Sequence, residues 1–359
     1  MRILDRYLVR EFVNYTLLGF STFVAIFVIV DLTERIDTFV DNHTPPLVVL
    51  EYYLRGLPTI VTQVLPIATL LGALVGLSQL RKHNELTAMQ GSGESPWRLA
   101  RPLLLAGFII SLAQYALNES IVPSFYSEQK RILTEDIKRQ SVADRQSRSG
   151  IRLLGSGGRF FVAQFFDARA SQLRQVSVQV KDGPILLERI DAKLARYQEG
   201  DWIFEDGVIR VFGDSTESAA RFRRYATSEV TEVPLDFART DEDPFHMSMR
   251  SLLAFARRLE EYGGETQKHM TNFHIRASFP LANLIMVLLG AALSLRIVRG
   301  SPVALGIGLS VSIGFAYFAF IRMGQALGYN GTLPPVVAAW LANVVFAVIG
   351  LFLFRKIAR

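Results

Sequence analysis

The sequence predicts an α-helical polytopic membrane protein, with six transmembrane helices in a three-plus-three order and an all-β, jelly-roll-like domain inserted between the triplets. Three observations lead there. Half of the 359 residues are hydrophobic and only 20% are charged, which is too apolar for an ordinary soluble enzyme. The apolar residues gather into runs near the roughly 20 helical residues needed to cross a hydrocarbon core of about 30 Å. Between the third and fourth runs the pattern changes from continuous to alternating, and turn signals recur.

The first span, about Phe12 to Val30, follows a basic start as a signal peptide would. It is too long for that, however, and leads into DLTERIDTFVD with no small-residue cleavage site, so it reads as a retained span. The second, Leu57 to Leu80, carries Pro58 and Pro66 as candidate breaks, and the third runs from Pro102 to Val122. Spans four to six cover Ile275 to Leu295, Val303 to Ile321 and Pro334 to Phe354. The domain plan is therefore 1–122, 123–272 and 273–359.

Orientation follows from the cations. With a cytoplasmic N-terminus, the inside segments carry Arg2, Arg6, Arg10, Arg81, Lys82, Arg98, Arg101, Arg296, Arg299, Arg355, Lys356 and Arg359. The short outside loops offer little beyond Arg35 and Arg55, as the positive-inside rule requires. Both termini are then expected in the cytoplasm and the insert on the opposite side of the membrane. This orientation accounts for much of the net charge of +6, so the basicity does not argue for nucleic acid. The absence of cysteine excludes disulfides and thiolate chemistry.

In the insert, Val176, Val178 and Val180 alternate with Ser177 and Gln179, the period of a half-buried strand. Asp182-Gly183 and Asp206-Gly207 read as hairpin turns, the second joining DWIFE to VIRVF. Seven or eight short strands are expected, in a β-sandwich or jelly roll. SFYSEQKRILTEDIKRQ reads as a polar helical continuation of span three. A helix from about Ser248 to Tyr262 leads through Gly263-Gly264 to span four. The five histidines, His43, His83, His246, His269 and His274, form no HExxH pattern, and no GxSxG elbow is present, so no hydrolytic site is read. Gly155-Ser156-Gly157-Gly158 precedes a strand and lacks a following Lys-Ser/Thr, so it reads as a turn and not as a phosphate loop.

Between spans two and three lies RKHNELTAMQGSGESPWRLARP. Asn84 can cap a short helix, Glu85 suits its positive end, and Gly91 and Gly93 end it. Ser95 caps the next start, with Pro96 at its first position. Trp97 and Arg98 suit the headgroup level. A short, stiff helix of about 84–91, held against the cytoplasmic face, suits transmission of force from a cytoplasmic partner.

LDRYLVREF, NELTAMQGSGESPWRL, ESIVPSFYSEQKR and RGSPVALGIGLSVSIGF, in that order and on this topology, resemble the LptF/LptG (YjgP/YjgQ) permease family of the lipopolysaccharide-export ABC transporter. The first two are worded more like its LptG branch. The resemblance runs the full length and implies a jelly-roll insert. It also implies that the short helix is a coupling helix, with Glu85 contacting a cytoplasmic LptB-like ATPase dimer and Leu86 and Met89 as apolar contacts. It implies no cofactor on this chain and no catalysis by it, with ATP and Mg on the partner, in keeping with the lack of a Walker motif. Further implied partners are an LptF-like paralogous permease or a second copy, and periplasmic LptC/LptA-like β-domain proteins. The substrate would be lipopolysaccharide taken from the inner membrane.

Such a lipid needs an apolar cavity rimmed by cations near the outer face. Candidates are Arg35, flanked by Glu34 and Asp37, then Lys130, Arg131, Lys268, Arg276 and Arg322. An arginine as close to hydrocarbon as Arg322 is costly unless it faces a cavity or snorkels. Two other classes remain open on residues alone: a secondary transporter, which calls for interrupted helices in both halves, and a membrane-anchored envelope scaffold.

Overall fold

The computed structural model describes residues 3–138, 147–182, 185–198, 200–213, 216–228, 230–238, 247–261, 266–296 and 302–356. Arg2, Gly183, His246, Tyr262, Gly263-Gly264, Arg299 and Arg359 lie outside them. The chain divides into two compact units. One holds Met1–Lys130, Phe245–Leu252 and Gln267–Arg359, the other Arg131–Pro244 and Leu253–Thr266.

The first unit is helical. Its elements are α1 (Ile3–Asp41), α2 (Pro46–Lys82), α3 (Glu85–Gly91), α4 (Pro96–Ser120), most of α5 (Val122–Ile132), the start of α7 (Met249–Glu261), α8 (Gln267–Ser278), α9 (Ala282–Arg296), α10 (Pro302–Tyr329) and α11 (Pro335–Arg355). Among the described residues six helices, counting α8 with α9 as one, are long and apolar enough to cross a membrane. All six predicted runs are found; the first, second, fourth and fifth spanning helices extend beyond them, the third starts earlier at Pro96, and the sixth matches to within a residue at each end. Proline opens α2, α4, α10 and α11, where its missing N–H costs nothing and its fixed φ suits the first turn. The polar continuation after span three is a separate helix: the chain turns at Ile121, next to Pro123, before α5 begins.

α2 and the α8–α9 span are the buried members, whereas α1 and α10 keep most of their apolar surface exposed. Close packing of α2 on α9 requires Gly290, where a Cβ would stand 2.8 Å from the Ala73 Cβ and 2.9 Å from the Leu70 carbonyl. Small residues at such crossings let helix backbones approach.

The two prolines of α2 do not end it. Pro66 has no N–H for the Thr62 carbonyl, and the side-chain amide of Gln114 on α4 donates to that carbonyl instead, at 3.0 Å. Gln114 Oε1 in turn accepts from Asn283 on α9 at 2.6 Å. Span four is interrupted by a 3-10 turn at Phe279–Leu281 around Pro280, a break the sequence reading passed over. Replacing Gln114 with leucine strands the Thr62 carbonyl, and a loss of about 1–3 kcal/mol is expected, read as a lower unfolding temperature in detergent. In a Pro66→Ala background the restored backbone donor should remove most of that loss.

The second unit is all-β with short helical pieces, as expected in kind. Its six described strands form one antiparallel sheet in the order β1 to β6: Arg148–Leu154, Arg159–Asp167, Gln172–Asp182, Ile185–Gln198, Asp201–Phe212 and Glu217–Thr227. The count falls short of seven or eight because β4 and β5 are long, at 14 and 12 residues. Asp206-Gly207 is not a hairpin turn. β5 runs through it with its register unbroken on both sides, Glu205 opposite Leu194 and Arg224, and Gly207 opposite Ala192 and Phe222. Asp206 takes a left-handed φ of 52°, and a Cβ on Gly207 would collide with the Asp191 carbonyl and the Phe222 ring. Asp-Gly marks a kink in a continuous strand here. β3 and β4 pair as far as Asp182 opposite Ile185, and the turn predicted at Asp182-Gly183 falls on residues outside the described ones.

Val176 and Val178 are buried, with Phe161, Phe166, Ile190, Trp202 and Phe204, under Phe237 of α6 (Pro234–Ala238). The Gly155–Gly158 stretch is a turn, as read, containing a 3-10 segment. Buried Glu232 holds it by accepting from the Ser156 amide at 2.6 Å and from Arg159 at 3.2 Å.

Candidate functional site

Two places in the helical unit gather the predicted residues. The first is the elbow between α2 and α4. Asn84 occupies the cap position of α3 but with φ 61° and no side-chain cap bond. The left-handed turn, tolerated by asparagine, redirects the chain instead. Glu85 lies in the first turn, half-buried, and its Oε2 accepts from the Tyr7 hydroxyl of α1 at 2.6 Å. Leu86, read from the sequence as a partner contact, has no accessible surface. It is packed with Leu8, Phe12, Leu80 and Leu99, and Met89 is partly buried against the same cluster. Leu86 therefore holds α3 to the bundle with part of Met89, and the surface left to a partner is Asn84, Thr87, Ala88 and the Gly91–Gly93 turn, with the half-exposed Glu85 and Met89 beside them.

α4 starts as the sequence predicts, with the Ser95 hydroxyl accepting from the Arg98 amide at 3.3 Å and Pro96 at the first position. Arg98 does not simply face headgroups. It pairs with Asp5 of α1 at 2.6 Å, while Trp97 packs on Phe354 with ring centres 4.3 Å apart. Arg81 donates to the Leu295 carbonyl at 2.8 Å, placing a cation at the negative end of α9.

The second place is a cavity of about 440 Å³. α1 contributes Phe23, Ile26, Phe27 and Val30, and α2 contributes Thr59, Thr62, Gln63, Val64 and Ile67. The remaining wall comes from Asn118, Val122, Ile275, Arg276 and Phe279, with Phe318, Ile321, Arg322 and Gln325 on α10. The walls are mostly apolar, with a few polar atoms among them, as suits an amphipathic ligand.

Two of the predicted cations meet there. Arg276 is only 8% exposed. One guanidinium nitrogen donates to the Asn118 carbonyl at 2.9 Å, and Nη1 is buried with no hydrogen-bond partner among the described residues. Thr59 Oγ1 on the same wall is also buried and unpartnered. Arg322 faces the cavity and donates to Gln325 at 2.9 Å; Gln325 then bonds Tyr329 and Asn272, and Lys268 lies over the Tyr329 ring at 5.8 Å.

The other candidates lie elsewhere. Arg35 is off the cavity wall and paired, though not with its flanking acids: Asp31, one turn back, accepts from it at 3.0 Å and from Tyr53 at 3.0 Å. Lys130 is exposed at the end of α5, and Arg131 pairs with Glu135 at 3.2 Å and Asp136 at 3.6 Å. Thr59, Gln63, Asn118 and Gln325 were missed. The available signal was the spacing of Arg322 and Gln325, which puts both on one helix face.

The family model described as "Lipopolysaccharide export system permease LptF/LptG" matches residues 6–356. Two curated relatives are each called lipopolysaccharide export system permease protein LptG, one from Escherichia coli K12 and one from Escherichia coli O6:H1 strain CFT073. Each is 21% identical over 371 residues, covering 99% of this chain and 98% of the relative.

Proposed function

The chain belongs to the LptF/LptG family of lipopolysaccharide export permeases, a multi-pass inner-membrane family of transport proteins and not of enzymes, and from that premise we propose that it is one permease half of an ABC exporter. ATP is hydrolysed on a separate cytoplasmic subunit that docks on α3, with Glu85 accepting a charge-assisted hydrogen bond from a basic residue of that subunit. α1 and α10, whose apolar faces are left exposed, are the sides offered to lipid and to a second permease. The β-unit passes acyl chains to periplasmic β-domain partners by edge-strand addition.

The observation that carries this reading is the cavity. An apolar chamber with a buried guanidinium nitrogen that has no hydrogen-bond partner among the described residues matches a ligand with acyl chains and a phosphate-bearing head. Purification from the native membrane should recover a soluble ATPase and an anionic glycolipid identifiable by mass spectrometry. Absence of both would favour the envelope-scaffold alternative.

The proposed orientation has its own test. In a chain without cysteine, single cysteines at Ser92 and Ser149 are expected to differ: an impermeant maleimide on intact spheroplasts should label position 149 and spare position 92. The reverse pattern would invert the topology.

A further inference from the structure

We propose that Tyr7 is a positioning residue for Glu85, and that through it α1 moves with α3 as one body between the elbow and the cavity; this rests on the coupling role given to Glu85 above. The Tyr7 hydroxyl and Glu85 Oε2 lie 2.6 Å apart across 78 residues of sequence. That is the length of a charge-assisted O–H···O⁻ bond, the stronger kind. Only Oε2 is engaged among the described residues. Oε1 is left to accept from a partner, while Tyr7 fixes the plane of the carboxylate.

The same turn of α1 holds the other side of the elbow. Asp5 binds Arg98 at the start of α4 at 2.6 Å, and Leu8 is buried with Leu86 and Leu99. Both ends of the α3 elbow are thus pinned to one helical turn by an ion pair, a hydrogen bond and a shared apolar cluster.

α1 is also the uninterrupted route to the cavity. It runs from Ile3 to Asp41 without a proline. The helices flanking the elbow contain Pro58, Pro66 and Pro102, each of which removes a backbone bond and permits bending. Phe23, the first cavity residue of α1, stands about 24 Å along the helix from Tyr7 at 1.5 Å per residue. A displacement of α3 is therefore delivered to Phe23, Ile26, Phe27 and Val30 by a stiff strut.

The test uses the whole permease–ATPase complex in lipid with lipopolysaccharide, and a photo-crosslinking residue in place of Phe27 to report the cavity wall. Tyr7→Phe removes one oxygen. It should leave ATPase co-purification and ATP hydrolysis near wild type and lower the unfolding temperature only slightly, while lipid exported per ATP falls about ten-fold, the scale of one charge-assisted hydrogen bond. ATP should no longer change the crosslink at position 27. Glu85→Ala is run beside it. If Glu85→Ala is impaired while Tyr7→Phe exports at the wild-type ratio with an ATP-sensitive crosslink, the positioning role is overturned and the coupling role of Glu85 stands. If both variants behave as wild type, the coupling role falls, and this proposal with it.

Discussion

Replacing Arg276 with methionine is expected to weaken lipopolysaccharide capture by about ten-fold or more while leaving the folded protein at least as resistant to heat. The two effects have one cause. Arg276 is buried near the Glu119 charge and, among the described residues, makes one hydrogen bond, to the Asn118 carbonyl, and leaves Nη1 without one. Its removal sacrifices about 1.5–3 kcal/mol for a bond from a charged donor, but relieves the larger cost of holding an incompletely satisfied ion away from water. Methionine fills similar space with a flexible apolar chain. Stability therefore does not account for arginine here, and a bound anionic head does, since it would satisfy the stranded nitrogen. Arg276→Lys should fall between the two, keeping the charge and losing the fork that holds a phosphate by two donors. The measurements are a lipid-binding titration and thermal unfolding on the same preparations. Undiminished binding by the methionine variant would end the assignment of Arg276 to the substrate; a large loss of stability would make it a structural ion.

The residues that were legible in the sequence are those whose signal is local. Pro96 marks a helix start, and the apolar runs mark the helices that contain them. Ser95 caps α4 as its sequence position suggests. The misread positions carry the same local signal with a different tertiary cause. Asp206-Gly207 has the residues of a hairpin turn, but they serve a left-handed kink and a close approach by Phe222 within one strand. α3 has seven residues, two turns at 3.6 residues each, too few for a periodicity to say which face is inside. The resemblance implied a partner contact for Leu86, whereas packing leaves it no accessible surface. The candidate sites were least legible of all. Tyr7 and Glu85 are 78 residues apart, and Arg276 meets Arg322 only where α8 and α10 close on one cavity, so no spacing rule connects either pair.

The remaining large effect is at Glu85. Glu85→Lys should abolish export and weaken assembly with the ATPase, because it sets a cation against the basic residue that the carboxylate is proposed to accept from. The loss of a charge-assisted bond is about 1.5–3 kcal/mol, and repulsion adds to it. The change also breaks the bond from Tyr7, so the design must separate an internal defect from an interfacial one. An acidic replacement on the ATPase does so: it restores attraction across the interface and leaves the Tyr7 contact broken. Partial recovery of co-purification by the paired reversal therefore isolates the intermolecular part. Glu85→Asp serves as the conservative arm, retaining charge with a shorter reach. If Glu85 did no more than favour the helix N-terminus, Lys would cost about 1 kcal/mol or less and Asp would be nearly neutral, and the ATPase reversal would restore nothing. Wild-type export by the Lys variant beside an unaltered ATPase would remove Glu85 from the coupling interface.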